Sequence, residues 1–149
     1  MTGELEIILV EDNLDDAALV IRALKKNNLA NKLVHLKDGA EALNFIFGDN
    51  TTEQMEMAAK APRVMLLDLK MPKINGMEVL AKIKGDVRTK AIPVVVLTSS
   101  AEDPDIKRCY DLGANSYIVK PVEFDNFTKA VSDLGMYWLI LNHPVQGTV

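Results

Sequence analysis

The chain carries a single cysteine, Cys109, in 149 residues. That excludes an internal disulfide and fits a reducing compartment. No apolar run approaches the roughly 18 residues that a membrane span requires. The first residues, Met1-Thr2-Gly3-Glu4, lack the basic stretch and apolar segment of a signal peptide. Net charge is −4, and the basic residues are scattered, with only the doublets Lys25-Lys26 and Lys107-Arg108. Nothing resembles a nucleic-acid footprint. Internal repeats and low-complexity tracts are absent. The expectation is a soluble cytoplasmic protein with neither nucleic acid nor membrane as partner. What the chain has in quantity is apolar residues, 48%. They suffice for the core of one domain over 1–149, with the core at about 5–140 and a tail at 141–149.

Four short, largely β-branched runs each end on a polar residue of a different kind. Leu5–Val10 ends on Glu11-Asp12, Val64–Leu67 on Asp68, Ile92–Leu97 on Thr98, and Tyr117–Val119 on Lys120. A fifth run, Lys32–Leu36, reads as a short strand. Between these runs lie segments of helical period. The first spans Asn13–Asn27 with Leu14, Ala17, Ala18, Ile21 and Leu24 as its apolar stripe. Others span Ala40–Phe47, Gly76–Lys84 and Pro104–Leu112, and a last one starts near Glu123 and runs to about Leu141. Gly48–Pro62 is long for such a connection; it reads as an extension of the second helix plus a surface loop.

Strands alternating with helices predict α/β architecture: a parallel sheet covered on both faces, joined by right-handed crossovers. Five units are too few for an eight-stranded barrel. The expectation is a (βα)5 flavodoxin-like doubly wound sheet of strand order 2-1-3-4-5, with ligands at the carboxyl ends of strands 1 and 3. That topology places Glu11, Asp12 and Asp68 in one crevice, with Thr98 one strand along and Lys120 two.

Three carboxylates so close repel each other, which raises a pKa unless a cation intervenes. A hard cation such as Mg2+ takes one or two carboxylates together with phosphate oxygens and waters. A carboxylate can also be the nucleophile that becomes an aspartyl-phosphate, and the central Asp68 is the best placed. Lys120 offers a point charge to a phosphoryl oxygen, Thr98 a hydroxyl, and Lys70 a backbone carbonyl to the metal. Singly, each has a plainer reading: Asp12 and Asn13 as helix caps, Asp68 as a loop carboxylate, Thr98 as a turn cap, Lys120 as a solvated strand end. Jointly, four strand ends with the right residue types point to one site.

Leu9-Val10-Glu11-Asp12-Asn13, Leu67-Asp68-Leu69-Lys70-Met71-Pro72 with Gly76, Val96-Leu97-Thr98-Ser99 and Tyr117-Ile118-Val119-Lys120-Pro121 resemble the motifs of the receiver domain of two-component response regulators, over about residues 5 to 140. The resemblance implies that Asp68 accepts a phosphoryl group from a histidine kinase and that Glu11, Asp12, Asp68 and the Lys70 carbonyl serve Mg2+. It implies that Thr98 and Lys120 bind the phosphoryl oxygens, that Tyr117 is an aromatic switch moving with Thr98, and that the Lys120-Pro121 bond is cis, an isomer accessible before proline. The protein is then a phosphoacceptor, at most catalysing its own phosphorylation and dephosphorylation. Lys70 and Ser100 occupy positions that influence phosphate lifetime in that family.

With no output segment after the fifth helix, the expected output is a separate protein or dimerisation. Phe124, Phe127, Val131, Leu134, Trp138 and Leu141 fall on one stripe of the last helix. Met136, Leu139 and Ile140 fall opposite and predict an apolar homodimer surface. The long 48–62 connection and the Trp138…Pro144 ending also resemble stand-alone regulators paired with bacterial and cyanobacterial phytochromes. Two alternatives compete. A receiver-like binding module that is never phosphorylated would not need the acidic set. An aspartyl-nucleophile phosphatase would want a second acid two residues after Asp68, where Lys70 stands.

Overall fold

In the computed structural model, which describes residues 6–26, 32–48, 63–71 and 73–133, the β-branched runs pair as five parallel strands. They are β1 (Glu6–Val10), β2 (Lys32–Leu36), β3 (Arg63–Asp68), β4 (Val94–Thr98) and β5 (Ser116–Val119). The sheet order is β2-β1-β3-β4-β5, the flavodoxin-like order expected from the alternation. The helices are α1 (Leu14–Lys26), α2 (Gly39–Phe47), α3 (Gly76–Lys84), α4 (Asp105–Asp111) and α5, described over Phe124–Asp133.

Strand residues alternate between two apolar layers, as the two-residue side-chain period requires. Ile7, Leu9, Val64, Leu66, Val95 and Leu97 face α1 and α5, where Ala17, Val20, Leu24, Phe127 and Val131 meet them. Ile8, Val10, Met65, Leu67, Val94 and Val96 face the other way, onto Ala42 and Ile46 of α2, Leu80 and Ile83 of α3, and Cys109 of α4. Covering both faces explains why these strands read as continuous apolar runs. Phe127 is fully buried, and truncating such a ring to alanine costs about 3–5 kcal/mol.

Four expectations are corrected. The core face of α1 is Ala17, Val20 and Leu24, whereas Ala18 is exposed and Leu14 stands 66% exposed at the helix start. Strand β4 starts at Val94 rather than Ile92, and α4 is a residue shorter at each end. The second helix stops at Phe47: Gly48 leaves the helical path at ψ −110° while its N–H still reaches the Asn44 carbonyl. The rest of the 48–62 connection and the dimer surface Met136, Leu139 and Ile140 lie outside the described residues.

Register turns the strand ends into a staircase. Val10 pairs with Leu67, so Glu11 and Asp68 follow side by side. Asp68 pairs with Leu97, placing Thr98 one step further, and Thr98 pairs with Val119, which immediately precedes Lys120. Two local devices sharpen this edge. Asn13 caps α1, its Oδ1 accepting from Asp16 N at 3.0 Å. Asn75 and Glu78 form a capping box at the start of α3, which fixes the chain returning past Asp68.

Candidate functional site

The staircase opens into a cleft of about 230 Å³ whose lining includes Glu11, Asp12, Asp68, Lys70, Thr98 and Lys120. All six residues singled out in the sequence for metal or phosphoryl contact are therefore together. Glu11 is fully buried and Asp68 5% exposed, while Asp12 is half-buried at the mouth. One carboxylate oxygen from each of Glu11, Asp12 and Asp68 lies within 4.8 Å of the others. Lys120, just past the end of β5, lines the same cleft. Its Nζ is 2.9 Å from Glu11 Oε1, 3.1 Å from Asp16 Oδ2 and 3.4 Å from Asp68 Oδ1. The Lys120-Pro121 peptide is cis.

Electrostatics follow from burial. Desolvation, then the neighbouring Glu11 carboxylate, push the Asp68 carboxyl up to about 7, with Lys120 pulling the other way. Burial alone would lower the Lys120 ammonium, but Glu11, Asp68 and Asp16 together outweigh it and hold it raised. The buried Glu11 Oε1 faces Lys120 without the geometry of a hydrogen bond. An all-oxygen set of three carboxylates drawn this close together fits a hard divalent cation.

Thr98 sits at the end of β4, 3% exposed. Its hydroxyl has two acceptors at 3.1 Å, the Ser100 carbonyl and Asp103 Oδ2, and accepts from Ser100 N at 3.3 Å. Tyr117 on β5 is half-buried against the α2–α3–α4 side of the core, its ring edge-on to Tyr110 at 6.3 Å between centroids.

Three participants escaped the sequence reading. Asp16, on the first turn of α1, shares Lys120. Asp103, in the β4–α4 loop, holds the Thr98 hydroxyl and lies 3.8 Å from Lys70 Nζ. His35, at the end of β2, places Nε2 2.9 Å from the Glu11 carbonyl oxygen, donating to it. The signal for His35 was its place near the carboxyl end of a strand neighbouring β1, opposite Leu9; Asp16 and Asp103 carry only short offsets from Asp12 and Thr98.

Sheet order and pocket together define a doubly wound α/β protein with an acidic crevice, a hydroxyl and an ammonium at its carboxyl edge. The chain belongs to the response regulator receiver domain family, whose family model matches residues 7–132, and so is a receiver domain of the two-component type. It is similar to the probable methanogenesis regulatory protein FilR2 of Methanothrix harundinacea, 40% identical over 89% of this chain and 83% of that protein. It is similar to response regulator Rcp1 of Synechocystis, 38% identical over 89% and 88% of the two. Among solved structures, the bacteriophytochrome response regulator AtBRR superposes with a TM-score of 0.75 at 48% identity, over 89% of this chain and 94% of that one. Rcp1 itself has been solved in a Mn2+-bound form, with a TM-score of 0.66 over 90% and 94% of the chains.

Proposed function

We propose that this receiver is a phosphorylation-activated switch in which Asp68 takes a phosphoryl group from a histidine kinase with Mg2+ in the acidic cleft. The observation that carries this reading is the convergence on Asp68: Lys120 Nζ at 3.4 Å and the carboxylates of Glu11 and Asp12 beside it. In the transfer, an Asp68 oxygen attacks phosphorus, an O–P bond forms, and the bond from phosphorus to the donor imidazole nitrogen breaks. Such transfers need positioning and charge stabilisation more than covalent help. Glu11, Asp12, Asp68 and the Lys70 carbonyl would hold the cation, which when bound neutralises charge on the phosphoryl oxygens. Lys120 carries its ammonium to one of those oxygens and Thr98 turns its hydroxyl to another. The choice of Mg2+ rests on the oxygen donor set, and the existence of a Mn2+-bound form of the relative Rcp1 supports a divalent ion.

The protein is a phosphoacceptor rather than a turnover enzyme: Lys70 stands where an aspartyl phosphatase would want its second acid. Similarity to AtBRR supports a phytochrome-type kinase as the donor, and the apolar run Met136–Leu141 supports a homodimer through the last helix. Light scattering of Leu139→Lys tests that dimer, an unchanged mass counting against it.

Intact mass spectrometry after incubation with Mg2+ and a small acyl phosphate tests the main reading. One added phosphoryl group, absent from Asp68→Asn, is the expected result. No adduct on the wild type would favour the non-phosphorylated binding module.

A further inference from the structure

Thr98 has one proton to give, and in this structure a carboxylate is waiting for it. Asp103 Oδ2 is 3.1 Å from Thr98 Oγ1, against a neutral carbonyl, that of Ser100, at the same distance. A hydrogen bond to an ionised acceptor is the stronger of the two. The Asp103 side chain is itself 5% exposed. Its other oxygen accepts from Asp105 N at 2.9 Å, and its carbonyl accepts from Ile106 N at 3.1 Å. The residue thus ties the phosphate-sensing hydroxyl to the first turn of α4. Lys70, which overhangs the same cleft, has its ammonium 3.8 Å from the same Asp103 oxygen. Hydrogen bonds from Asp105 N and the Thr98 hydroxyl, with the nearby charge of Lys70, hold the Asp103 carboxyl below the usual range despite its desolvation, so it is an anion at neutral pH.

We propose that Asp103 is a latch that competes with the phosphoryl group for the Thr98 hydroxyl, setting the resting bias of the switch and reporting its release to α4. This rests on the reading of Asp68 as the phosphoacceptor. A phosphoryl group on Asp68 brings acceptor oxygens to the other side of Thr98. The hydroxyl can donate to them only by leaving Asp103, and a ligand shifts a two-state element only by its differential interaction with the two states. Asp103 therefore weakens phosphoryl binding. Its loss frees the Thr98 hydroxyl in advance and removes a negative charge from the rim of the cleft. Asp103 acts through its hydrogen bond with Thr98, so its role is that of a positioning residue.

Asp103→Ser separates the roles, because a serine oxygen at this position keeps an acceptor for Asp105 N but drops both the charge and the reach to Thr98. The probe is beryllofluoride, a phosphoryl mimic, titrated in saturating Mg2+ and read by 19F NMR of the bound fluorides. Asp103→Ser should bind it about tenfold more tightly than wild type, equivalent to about 1.4 kcal/mol. In a Thr98→Ala background the same substitution should gain less than about threefold. Equal affinity of Asp103→Ser and wild type overturns the latch. So does a tenfold gain that persists without Thr98, since the effect would then be rim charge alone. Amide spectra of the α4 turn check that Asp103→Ser keeps its fold, and Asp103→Asn, which keeps the shape and loses the charge, should give an intermediate gain. If wild-type protein neither binds beryllofluoride nor takes a phosphoryl group from an acyl phosphate, the phosphoacceptor reading falls and the latch falls with it. Binding by wild type with no change in the variant removes the latch only.

Discussion

Lys120 and Glu11 form an ion pair at 2.9 Å in which the carboxylate is fully buried and the ammonium reaches it from β5, three strands away in the sheet. Removing one partner of a buried pair leaves an uncompensated charge. Lys120→Met should therefore destabilise the metal-free protein by about 3 kcal/mol, a penalty shared by Glu11 and Asp68 because both face the same ammonium. Mg2+ should recover much of the loss by taking over the charge balance. Urea unfolding with and without Mg2+ measures both effects; a Lys120→Met midpoint equal to wild type would mean that water already screens the pair.

The same crowding makes metal-free stability depend on pH through Asp68. Its folded-state carboxyl is pushed up to about 7 from an ordinary 3.8, by burial first and Glu11 second. Between those values the unfolded chain gives up a proton that the folded protein retains. The native state binds more protons, so this group's contribution to stability is full below about pH 4, falls as pH rises toward 7, and is flat above. Each unit of separation is worth about 1.4 kcal/mol. Asp68→Asn, which cannot ionise, should gain on wild type across that window, and saturating Mg2+ should flatten the difference. Parallel urea titrations at pH 4, 5.5 and 7.5 decide it; a difference that shrinks with rising pH would reverse the sign and refute the argument.

Lys84 is a half-buried lysine whose ammonium is held by neutral oxygen acceptors. Its ammonium donates to the Ile92 carbonyl at 2.7 Å, the Lys90 carbonyl at 3.0 Å and Asn115 Oδ1 at 3.0 Å. Three donors meet three acceptors, and Asn115 Oδ1 also accepts from Val94 N at 2.9 Å. The side chain thereby locks the end of α3 to the entries of β4 and β5. Lys84→Met keeps the stem and orphans the acceptors, which should cost about 1–3 kcal/mol without changing phosphorylation of Asp68. Chemical denaturation beside intact-mass phosphorylation separates the two; loss of the adduct in a folded Lys84→Met protein would mean that this end of the sheet is coupled to the cleft.

Glu11, Asp68, Thr98 and Lys120 were readable because each sits at the end of its own apolar run, where strand polarity and topology alone decide position. Asp16, Asp103 and His35 were not, because their place depends on how α1, the β4–α4 loop and β2 settle against those ends. The α1 stripe shows the same limit. Its period was plain, but Ala18 satisfies it nearly as well as Val20, and only packing into the layer of Leu9 and Leu97 selects the face, with Ile21 half-buried at its margin. The cleft's residues were thus visible in the sequence, while the hydrogen bonds that restrain them were a property of tertiary contact.

Gly76 shows how tightly the backbone beneath the site is drawn. An added Cβ would lie 2.3 Å from the Asp68 carbonyl oxygen and 2.7 Å from Leu69 Cα, and Gly76 N donates to the Leu69 carbonyl at 2.9 Å. Both obstacles are main chain, so no side-chain rotation relieves them. Gly76→Ala must push the start of α3 away from β3 or move Asp68 itself. Overpacking of this kind costs about 1–3 kcal/mol. A shift of about 1 Å at a reacting group can cost about 100-fold in rate. The expected result is a lower unfolding midpoint together with much slower acyl-phosphate labelling of protein that is still folded, measured at a temperature well below the variant's transition. If labelling keeps pace with wild type while the midpoint drops, α3 has yielded and Asp68 has not. The capping box of Asn75 and Glu78 would then be the next place to look for the displacement, since it fixes the first turn of that helix.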